Sequence, residues 1–502
     1  MLSDTNEGLL SKKNLLFCGF ILVLSYFTYV HNYSNPPFLF WDENYHIASA
    51  QKHMNGTFFM EPHPPLGKLM IGWGEQLLDK NPADDQFLNT NYARKLPANF
   101  SFAGYRLFPT VMAWLIAPTL FFIFLVLTRR ALYATLFTFP YVFDNAIIVH
   151  SRAAHLDQAM ILFSVLMILF FLLCIEWRDR PKPFGWAAFF FGMSFGLLMV
   201  TKILGLVMIL LLIPMVIVLY PNTNKIWHWF ALAMIGFLIP YIGVWQMHFA
   251  NADTLNPKLP NQGYFQASDG YKYALDMEKT GSIAAFPVML RDNLTFTSHY
   301  AGGVPRLNMC KADENGSPFY LWPVGGHSIN YRWETPDGTH YKYLYLIANP
   351  IGWLTAFAAV LLAGGFLSAY IFFDAKPKLK RPLLLATFFG LYASYMIAVA
   401  QLGRVMYMYH YFMPLVFGFI LIALVFQEIS SIGTWKLTDH RRGLILLIFG
   451  FLVFLVHLWI RPLTYYEPVT DKQVQRRSLM PVWEMHCVKC PRFSSYVVRN
   501  KK

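Results

Sequence analysis

The sequence predicts an all-α, polytopic membrane protein, and three observations carry this prediction. Of the 502 residues, 56% are hydrophobic and 18% are aromatic. Only 14% are charged, whereas soluble proteins carry about 25%. The mean hydropathy is +0.38. A soluble chain of this length would divide into domains that each need a polar surface, and this composition cannot supply those surfaces. It excludes a soluble enzyme, a disordered chain and a fibrous repeat.

Apolar runs long enough to cross a bilayer, about 20 residues each, occur about eleven times. We predict spans at 14–30, 107–128, 131–149, 157–176, 184–200, 203–220, 226–247, 350–373, 383–400, 405–427 and 443–460. The first run lacks a small-residue cleavage site, so we expect a signal anchor rather than a cleaved signal peptide.

Lysine and arginine gather in alternate short loops, which indicates the orientation of the spans. With Lys12 and Lys13 in the cytoplasm, Arg129-Arg130 and the later basic loops also fall inside. The net charge of +13 then mainly reflects the lysines and arginines of the cytoplasmic loops, and we expect no nucleic-acid partner. We predict an N-terminal membrane module, residues 1–247, with a catalytic first external loop at 31–106. An external loop region, 248–349, a C-terminal membrane module, 350–460, and an external tail, 461–502, follow it.

Ionisable residues collect at the predicted outer face. An adjacent acidic pair opens the first external loop, and it can supply a general base or a metal ligand, or be merely solvated. Charged groups near span ends are costly and usually functional, although each one alone is equally explained by snorkelling to the interface. Cations retained on the outer face fit a bound anion such as a lipid phosphate. The candidate site residues are Asp42, Glu43, His63, Lys68, Arg106, Arg152, Lys202, Arg404 and His410.

Seven short motifs follow one another along the chain. They are Asp42-Glu43 with His63-Pro64-Pro65-Leu66-Gly67-Lys68, Gly104-Tyr105-Arg106-Leu107, Arg152 to Asp157, Thr201-Lys202-Ile203-Leu204-Gly205-Leu206, Trp322-Pro323, Asn349-Pro350, and Gly403-Arg404 with Tyr409-His410-Tyr411 and Pro414. In this order they resemble the protein O-mannosyltransferase family, membrane glycosyltransferases of the GT-C type, over most of the membrane part. Eukaryotic members carry a β-trefoil domain in the large loop, and the loop 248–349 is too short for one, which favours a bacterial member.

The resemblance implies inverting transfer of a sugar, typically mannose, from a polyprenyl phosphate to a Ser or Thr hydroxyl of an exported protein. Asp42 would be the base, and Glu43 would position Asp42 or the acceptor. Arg152, Lys202 and Arg404 would neutralise the leaving phosphate. The remaining candidates would bind donor or substrate: His63, Lys68, Arg106 and His410.

Further expectations follow from the same resemblance. It implies neither a cofactor nor a metal. The expected partners are the lipid-linked sugar donor, an acceptor protein or peptide and membrane lipid, and dimerisation is left open. The expected location is the bacterial inner membrane, with the N-terminus cytoplasmic and the active site facing the periplasm.

Two other functions compete with this one. Aminoarabinose transferases, which modify lipid A, share the acidic pair, but their proline motif usually has lysine where His63 stands here. A transporter would place its charges near the midplane and often show inverted repeats, and neither pattern is visible. In the tail, Cys487 and Cys490 suit a local disulfide, and with His486 they offer only three of the four ligands that zinc usually takes.

Overall fold

The computed structural model describes residues 8–88, 96–256, 263–311, 314–373 and 378–488. The helices are α1 (Lys12–Ser25), α2 (Glu43–Met54), α3 (Leu66–Leu78), α4 (Ala103–Thr128), α5 (Ala131–Val142), α6 (Asn145–Ser151), α7 (Asp157–Glu176), α8 (Pro181–Met199), α9 (Leu212–Leu219), α10 (Thr223–Asn251), α11 (Asp269–Asp276), α12 (Phe286–Gly303), α13 (Pro350–Phe372), α14 (Pro382–Ala400), α15 (Phe412–Glu428), α16 (Asp439–Thr464) and α17 (Asp471–Arg477). The strands are β1 (Ile329–Glu334), β2 (Tyr341–Leu346), β3 (Ser431–Ile432), β4 (Trp435–Lys436) and β5 (Pro468–Val469).

The protein is a multi-pass membrane protein. Within the described residues, eight helices are long and apolar enough to cross a bilayer: Lys12–Val30, Ala103–Thr128, Asp157–Glu176, Thr223–Asn251, Pro350–Phe372, Pro382–Ala400, Met408–Glu428 and Asp439–Thr464. A ninth span results if α5 and α6, bent by 65° at their junction, are taken together. The predicted span 203–220 is a shorter apolar helix, wound as a 3-10 helix over Ile203–Leu211 before α9. The expected count of eleven stays a prediction.

The chain forms two compact units. The first unit comprises Tyr29–Thr119 and Ser151–Val304, and the second comprises Met1–Thr28, Leu120–His150 and Pro305–Lys502. In the first unit, α8 packs on both α7 and α10. The α8–α10 contact depends on Gly192, since a Cβ there would lie 1.8 Å from the carbonyl oxygen of Ala233. Any larger residue would force these two helices apart.

The second unit contains a small antiparallel sheet that the all-α prediction did not include. Its strand order is β1-β2-β5, and β5 pairs with β2 through the partners Tyr341↔Val469 and Lys342↔Pro468. The sheet therefore joins a strand from the predicted external loop to a strand from the predicted external tail. Four long helices separate these strands along the chain, α13 to α16. An even number of spans returns the chain to the side of the membrane from which it left.

The tail continues across the sheet beyond β5. Trp483 is fully buried, and its carbonyl accepts a 2.6 Å hydrogen bond from the Ser328 hydroxyl. The hydroxyl of Tyr345 accepts a 3.0 Å hydrogen bond from the backbone N–H of His486. Cys487 is disulfide-bonded, and Cys490 lies outside the described residues. Through these contacts the described part of the tail packs as an integral part of the second unit.

A buried polar group holds the bend between α5 and α6. Asp144 accepts hydrogen bonds from Trp353 Nε1 at 2.6 Å and from the N–H of Ile147 at 2.8 Å. Asn349 Nδ2 donates to the carbonyls of Phe143 at 3.1 Å and Val453 at 2.9 Å. A sharp helix bend exposes backbone groups that an apolar surrounding cannot satisfy, and these side chains satisfy them.

Replacing Asn349 with alanine is expected to destabilise the protein by about 1–3 kcal/mol, because two buried carbonyls lose their donor. Thermal unfolding in detergent, followed by tryptophan fluorescence, measures this as a lower Tm. Asn315→Ala is the matched control, since Asn315 lies in the same unit and is exposed. Equal Tm values for the two variants would contradict the assigned role of Asn349.

Candidate active site

A fully buried ion pair organises the first unit. Glu43 begins α2 and Arg106 lies in the first turn of α4, and neither side chain has measurable exposure. Arg106 Nε and Nη2 donate to the two carboxylate oxygens of Glu43 at 2.6 and 2.7 Å. The remaining three N–H groups of Arg106 donate to the carbonyls of Ser34, Pro36 and Phe38 at 2.7–2.8 Å. All five N–H groups of this guanidinium are therefore used within the protein.

The carboxylate of Glu43 is likewise occupied by hydrogen bonds within the protein. Besides Arg106, it accepts hydrogen bonds from the backbone N–H of Ala154 at 2.9 Å and of Phe40 at 3.2 Å. The rings of Phe40 and Phe102 lie 4.6 and 4.8 Å from the guanidinium carbon of Arg106, a separation typical of cation–π contacts. An acceptor hydroxyl has no route to the Glu43 carboxylate in this arrangement.

Asp42 differs from Glu43 although the two are adjacent. It occupies the N-cap position of α2, and its side chain is partly exposed. The preceding residue, Trp41, has a φ of 53°, and the left-handed conformation costs a residue with a Cβ about 1–3 kcal/mol. The buried Glu43–Arg106 pair stabilises this strained turn, and the turn leaves the Asp42 carboxylate near the surface.

Two buried lysines each pair with a carboxylate. Lys68 of α3 pairs with Glu61, which also accepts a 2.7 Å hydrogen bond from the Ser49 hydroxyl. Lys202 Nζ lies 2.6 Å from Asp157 Oδ1, and both side chains are more than nine-tenths buried. Burial lowers the pKa of Lys68, against the opposing effect of Glu61.

Backbone contacts hold in place the two segments that carry Lys68 and Lys202. Prolines 64 and 65 restrict the chain before α3, and the first N–H of α3, from Leu66, donates to the carbonyl of Val200 at 2.9 Å. This bond joins α3 to the segment that carries Lys202, whose own backbone is extended. Gly67 permits the approach of α3 to the start of α7, since a Cβ there would lie 2.6 Å from Leu156 Cδ2.

Three imidazoles lie together with these lysines. The ring centroid of His46 is 5.9 Å from that of His155 and 6.4 Å from that of His63. Burial, followed by the charge of Lys68, lowers the pKa of His46 well below its ordinary value of 6.5. His46 is therefore neutral at pH 7. Arg152 is also buried in this unit, where it donates to the carbonyls of His31, at 3.2 Å, and of Asn32.

The first unit thus contains seven of the nine candidate residues: Asp42, Glu43, His63, Lys68, Arg106, Arg152 and Lys202. The geometry favours a structural role for Arg106 over the phosphate contact that the resemblance implies, because its donors are all occupied. Sequence reasoning did not select His46, Glu61 or Asp157 as site residues. His46 follows Asp42 by four residues at the start of a helix, and this spacing places two side chains on one face.

The other two candidates, Arg404 and His410, belong to the second unit. His410 is 4% exposed and stacks on Tyr409, with ring centroids 4.5 Å apart. Its Nδ1 lies 3.0 Å from the carbonyl oxygen of Tyr407. Arg404 is partly exposed in the segment between α14 and the 3-10 turn Met408–Tyr411. His410 is thereby built into an aromatic stack within its own unit.

The described residues contain no group of three or more His, Cys, Asp or Glu side chains arranged to hold a metal ion. The first unit offers a partly exposed carboxylate, Asp42, two paired lysines and the neutral imidazole of His46. A carboxylate can accept a proton from a hydroxyl. Fixed cations can stabilise negative charge that develops on a phosphate.

Two protein-family models match the chain. The model described as dolichyl-phosphate-mannose-protein mannosyltransferase matches residues 19–256, and that for the C-terminal four TMM region of protein-O-mannosyltransferase matches residues 286–483. Together they cover well over half of the chain. The chain belongs to the protein O-mannosyltransferase family.

Relatives of this protein O-mannosyltransferase family member align over part of their length. Dolichyl-phosphate-mannose--protein mannosyltransferase 1 of Candida albicans is 28% identical over 250 residues, or 46% of this chain and 27% of the relative. Protein O-mannosyl-transferase 2 of Danio rerio is 26% identical over 172 residues, or 33% of this chain and 21% of the relative. The chain spans about a quarter of the length of these curated relatives.

The fold agrees with the family assignment. The structure of the Saccharomyces cerevisiae protein O-mannosyltransferase Pmt1-Pmt2 complex bound to the sugar donor is similar with a TM-score of 0.78. The match covers 96% of this chain and 94% of that chain at 12% sequence identity. The predicted GT-C-type membrane fold is thereby confirmed.

Proposed function

We propose that this protein transfers mannose from a polyprenyl-phosphate-mannose donor to Ser or Thr hydroxyls of exported proteins, with inversion at the anomeric carbon. The observation that carries the proposal is the contrast between two adjacent acids. Glu43 is fully buried and occupied, while Asp42 stands partly exposed beside it. The family assignment and the relatives' names, which specify dolichyl-phosphate-mannose and protein, support the substrates.

In this proposal Asp42 is the general base. Its carboxylate takes the proton of the acceptor hydroxyl as the hydroxyl oxygen attacks the anomeric carbon. The new bond forms on the face opposite the breaking bond between that carbon and the phosphate oxygen, and the polyprenyl phosphate leaves with the electron pair. One inversion and one base suffice, so no covalent sugar–enzyme intermediate is needed.

The cationic residues stabilise the leaving phosphate. Lys68 and Lys202 are held in place by Glu61 and Asp157, so their charges are fixed before the reaction rather than reorganised during it. Such preorganised charge in a water-poor site is usually the largest contribution to catalysis. Arg152 and His63 of the same unit complete the proposed donor site. Arg404 and His410 are assigned to donor binding on the resemblance alone.

Glu43 and Arg106 are positioning residues in this mechanism. Arg106 binds three carbonyls of the segment before α2, and Glu43 binds the N–H of Ala154. The pair therefore holds the Asp42 turn against the segment that carries Arg152 and His155. Its contribution to the reaction is the placement of Asp42.

We further propose that the site faces the exterior of a bacterial inner membrane, with the N-terminus in the cytoplasm. The basic short loops support this orientation. The pairing of β2 with β5 supports a location of the external loop and the tail on the same side of the membrane, since four long helices separate the two strands. The basic tail then lies outside with the sheet on which it packs.

A label-transfer assay tests the proposed function. Membranes with the wild-type protein or the Asp42→Asn variant receive radiolabelled polyprenyl-phosphate-mannose, and the label is counted in precipitated protein and in extracted lipid. We expect label in protein from the wild type and only background from Asp42→Asn. Label in a new lipid product would instead assign a lipid acceptor, and label in neither fraction would overturn the proposed donor.

A further inference from the structure

Two histidines beside the proposed donor site have no role in the transfer described above. His46 lies on α2 and His155 on the turn before α7, with His63 on the segment before α3. Their rings meet around His46, at the centroid distances of 5.9 and 6.4 Å given above. His46 Nδ1 is buried and makes no hydrogen bond with the described residues. A buried polar atom of this kind fits a group that acquires its partner during function.

Charged and titratable groups face His46 from several elements. Lys68 from α3 and Lys202 from the segment before the 3-10 helix act on His46, and each is paired with a carboxylate, Glu61 or Asp157. Asp42 lies four residues before His46 on its own helix. On α10, which also packs against α2, His248 faces His53 with ring centroids 5.1 Å apart. Among these groups, His46 has a buried ring nitrogen, Nδ1, without a hydrogen bond to the described residues, and it can bind a further proton when a new negative charge comes close.

The proposed reaction changes the charge of the bound phosphate. The donor is a phosphodiester with a single negative charge, whereas the polyprenyl phosphate product is a monoester with a charge of about −1.5 to −2 at pH 7. Lys68 and Lys202 are already paired with carboxylates, so neither lysine supplies a new counter-charge for the additional negative charge. An uncompensated charge away from water is costly, and a nearby imidazole can compensate it by binding a proton.

We propose that His46 takes up one proton when the bound phosphate gains its second negative charge, so that the net charge of the occupied site is constant through the transfer. This inference rests on the proposed function. The balance closes without another reactant. The acceptor hydroxyl loses one proton to Asp42, the bond from the anomeric carbon to the phosphate breaks as the bond to the acceptor oxygen forms, and the proton passes from Asp42 to His46. Release of the product returns that proton to water.

Calorimetric titration of the purified protein in detergent tests this inference. The probes are farnesyl monophosphate and its methyl diester, each titrated at pH 7.5 in two buffers with different enthalpies of ionisation. The buffer dependence of the heat gives the number of protons taken up. At pH 7.5 the free monoester is mostly dianionic, because its second pKa is about 6. Proton uptake that is lost when His46 is replaced therefore reports on His46 rather than on the phosphate.

For the wild type we expect uptake of about one proton with the monoester and about none with the diester. His46→Gln and His46→Asn should lose most of the uptake with the monoester while keeping their affinity for the diester, which also shows that they are folded. The matched control is His299→Gln, an exposed histidine on α12 of the same unit, which should behave as the wild type.

The outcomes separate this inference from the proposed function. Undiminished proton uptake in both His46 variants would overturn the assignment to His46 and leave the phosphate site standing. Equal uptake with monoester and diester would overturn the link to the second charge. Failure of the wild type to bind either probe would overturn the proposed phosphate site, and this inference with it.

Discussion

Replacing Asp42 with asparagine is expected to lower the kcat for mannosyl transfer by about 1,000-fold, within the range that loss of a general base produces. The amide has nearly the shape of the carboxylate but cannot accept the hydroxyl proton. Because Asp42 is not a proposed phosphate ligand, the affinity for the donor should stay within about threefold of the wild type. Steady-state transfer to an acceptor peptide gives kcat, and equilibrium binding of the donor gives the affinity.

Glu43→Gln distinguishes the two acids. Glu43 makes four hydrogen bonds inside the protein, so its loss of charge should lower the thermal stability, and turnover should fall only through misplacement of Asp42. Asp42→Asn should leave the Tm almost unchanged. The opposite pattern, in which Glu43→Gln keeps its Tm and loses turnover while Asp42→Asn remains active, would make Glu43 the base.

Arg106→Met is expected to cost about 3–5 kcal/mol of stability, which is the range for leaving one partner of a buried ion pair alone. The loss reaches beyond Glu43, since the carbonyls of Ser34, Pro36 and Phe38 also lose their donor. Arg106→Lys should be only a partial replacement, because an ammonium has three N–H groups where the guanidinium has five. Thermal unfolding and the yield of monodisperse protein in detergent measure both effects.

A double variant supplies the control for this prediction. In Arg106→Met with Glu43→Leu, neither charge is left unpaired, so part of the lost Tm should return. Arg106→Met with a normal Tm but weakened donor binding would contradict the structural role and restore Arg106 to the phosphate site. The two roles therefore predict different measurable losses.

Much of the membrane fold could be predicted from hydropathy alone. The run 157–176 coincides with α7, and 107–128 lies within α4. Hydropathy carries no information about the type of helix or about bends within it, however. The bend between α5 and α6 and the 3-10 stretch Ile203–Leu211 could therefore not be predicted from it. The bend depends on the contact between Asp144 and Trp353, which are 209 positions apart in the chain. No local pattern contains that information.

The candidate site, like the fold, could be predicted only in part from the sequence. Charge and position selected the Asp42-Glu43 pair, but adjacency could not say which acid is buried, because that depends on Arg106, 63 positions later. The sequence predicts Lys68 and Lys202 as ligands of the donor, but their carboxylate partners, Glu61 and Asp157, are evident only in three dimensions. The strand β2 does carry a local signal, the alternating tyrosines 341, 343 and 345, which hydropathy over the length of a membrane span does not detect.

The pairing of β2 with β5 sets an order of events during biosynthesis. β1 and β2 leave the ribosome early, but their third strand follows only after α13 to α16. The sheet cannot be completed until all four of these helices have been inserted. A chain that skips or inverts one of them delivers β5 to the opposite side of the bilayer, and the buried face formed by Tyr341, Tyr343 and Tyr345 stays uncovered. A complete sheet therefore requires that all four helices cross the bilayer in the correct sense.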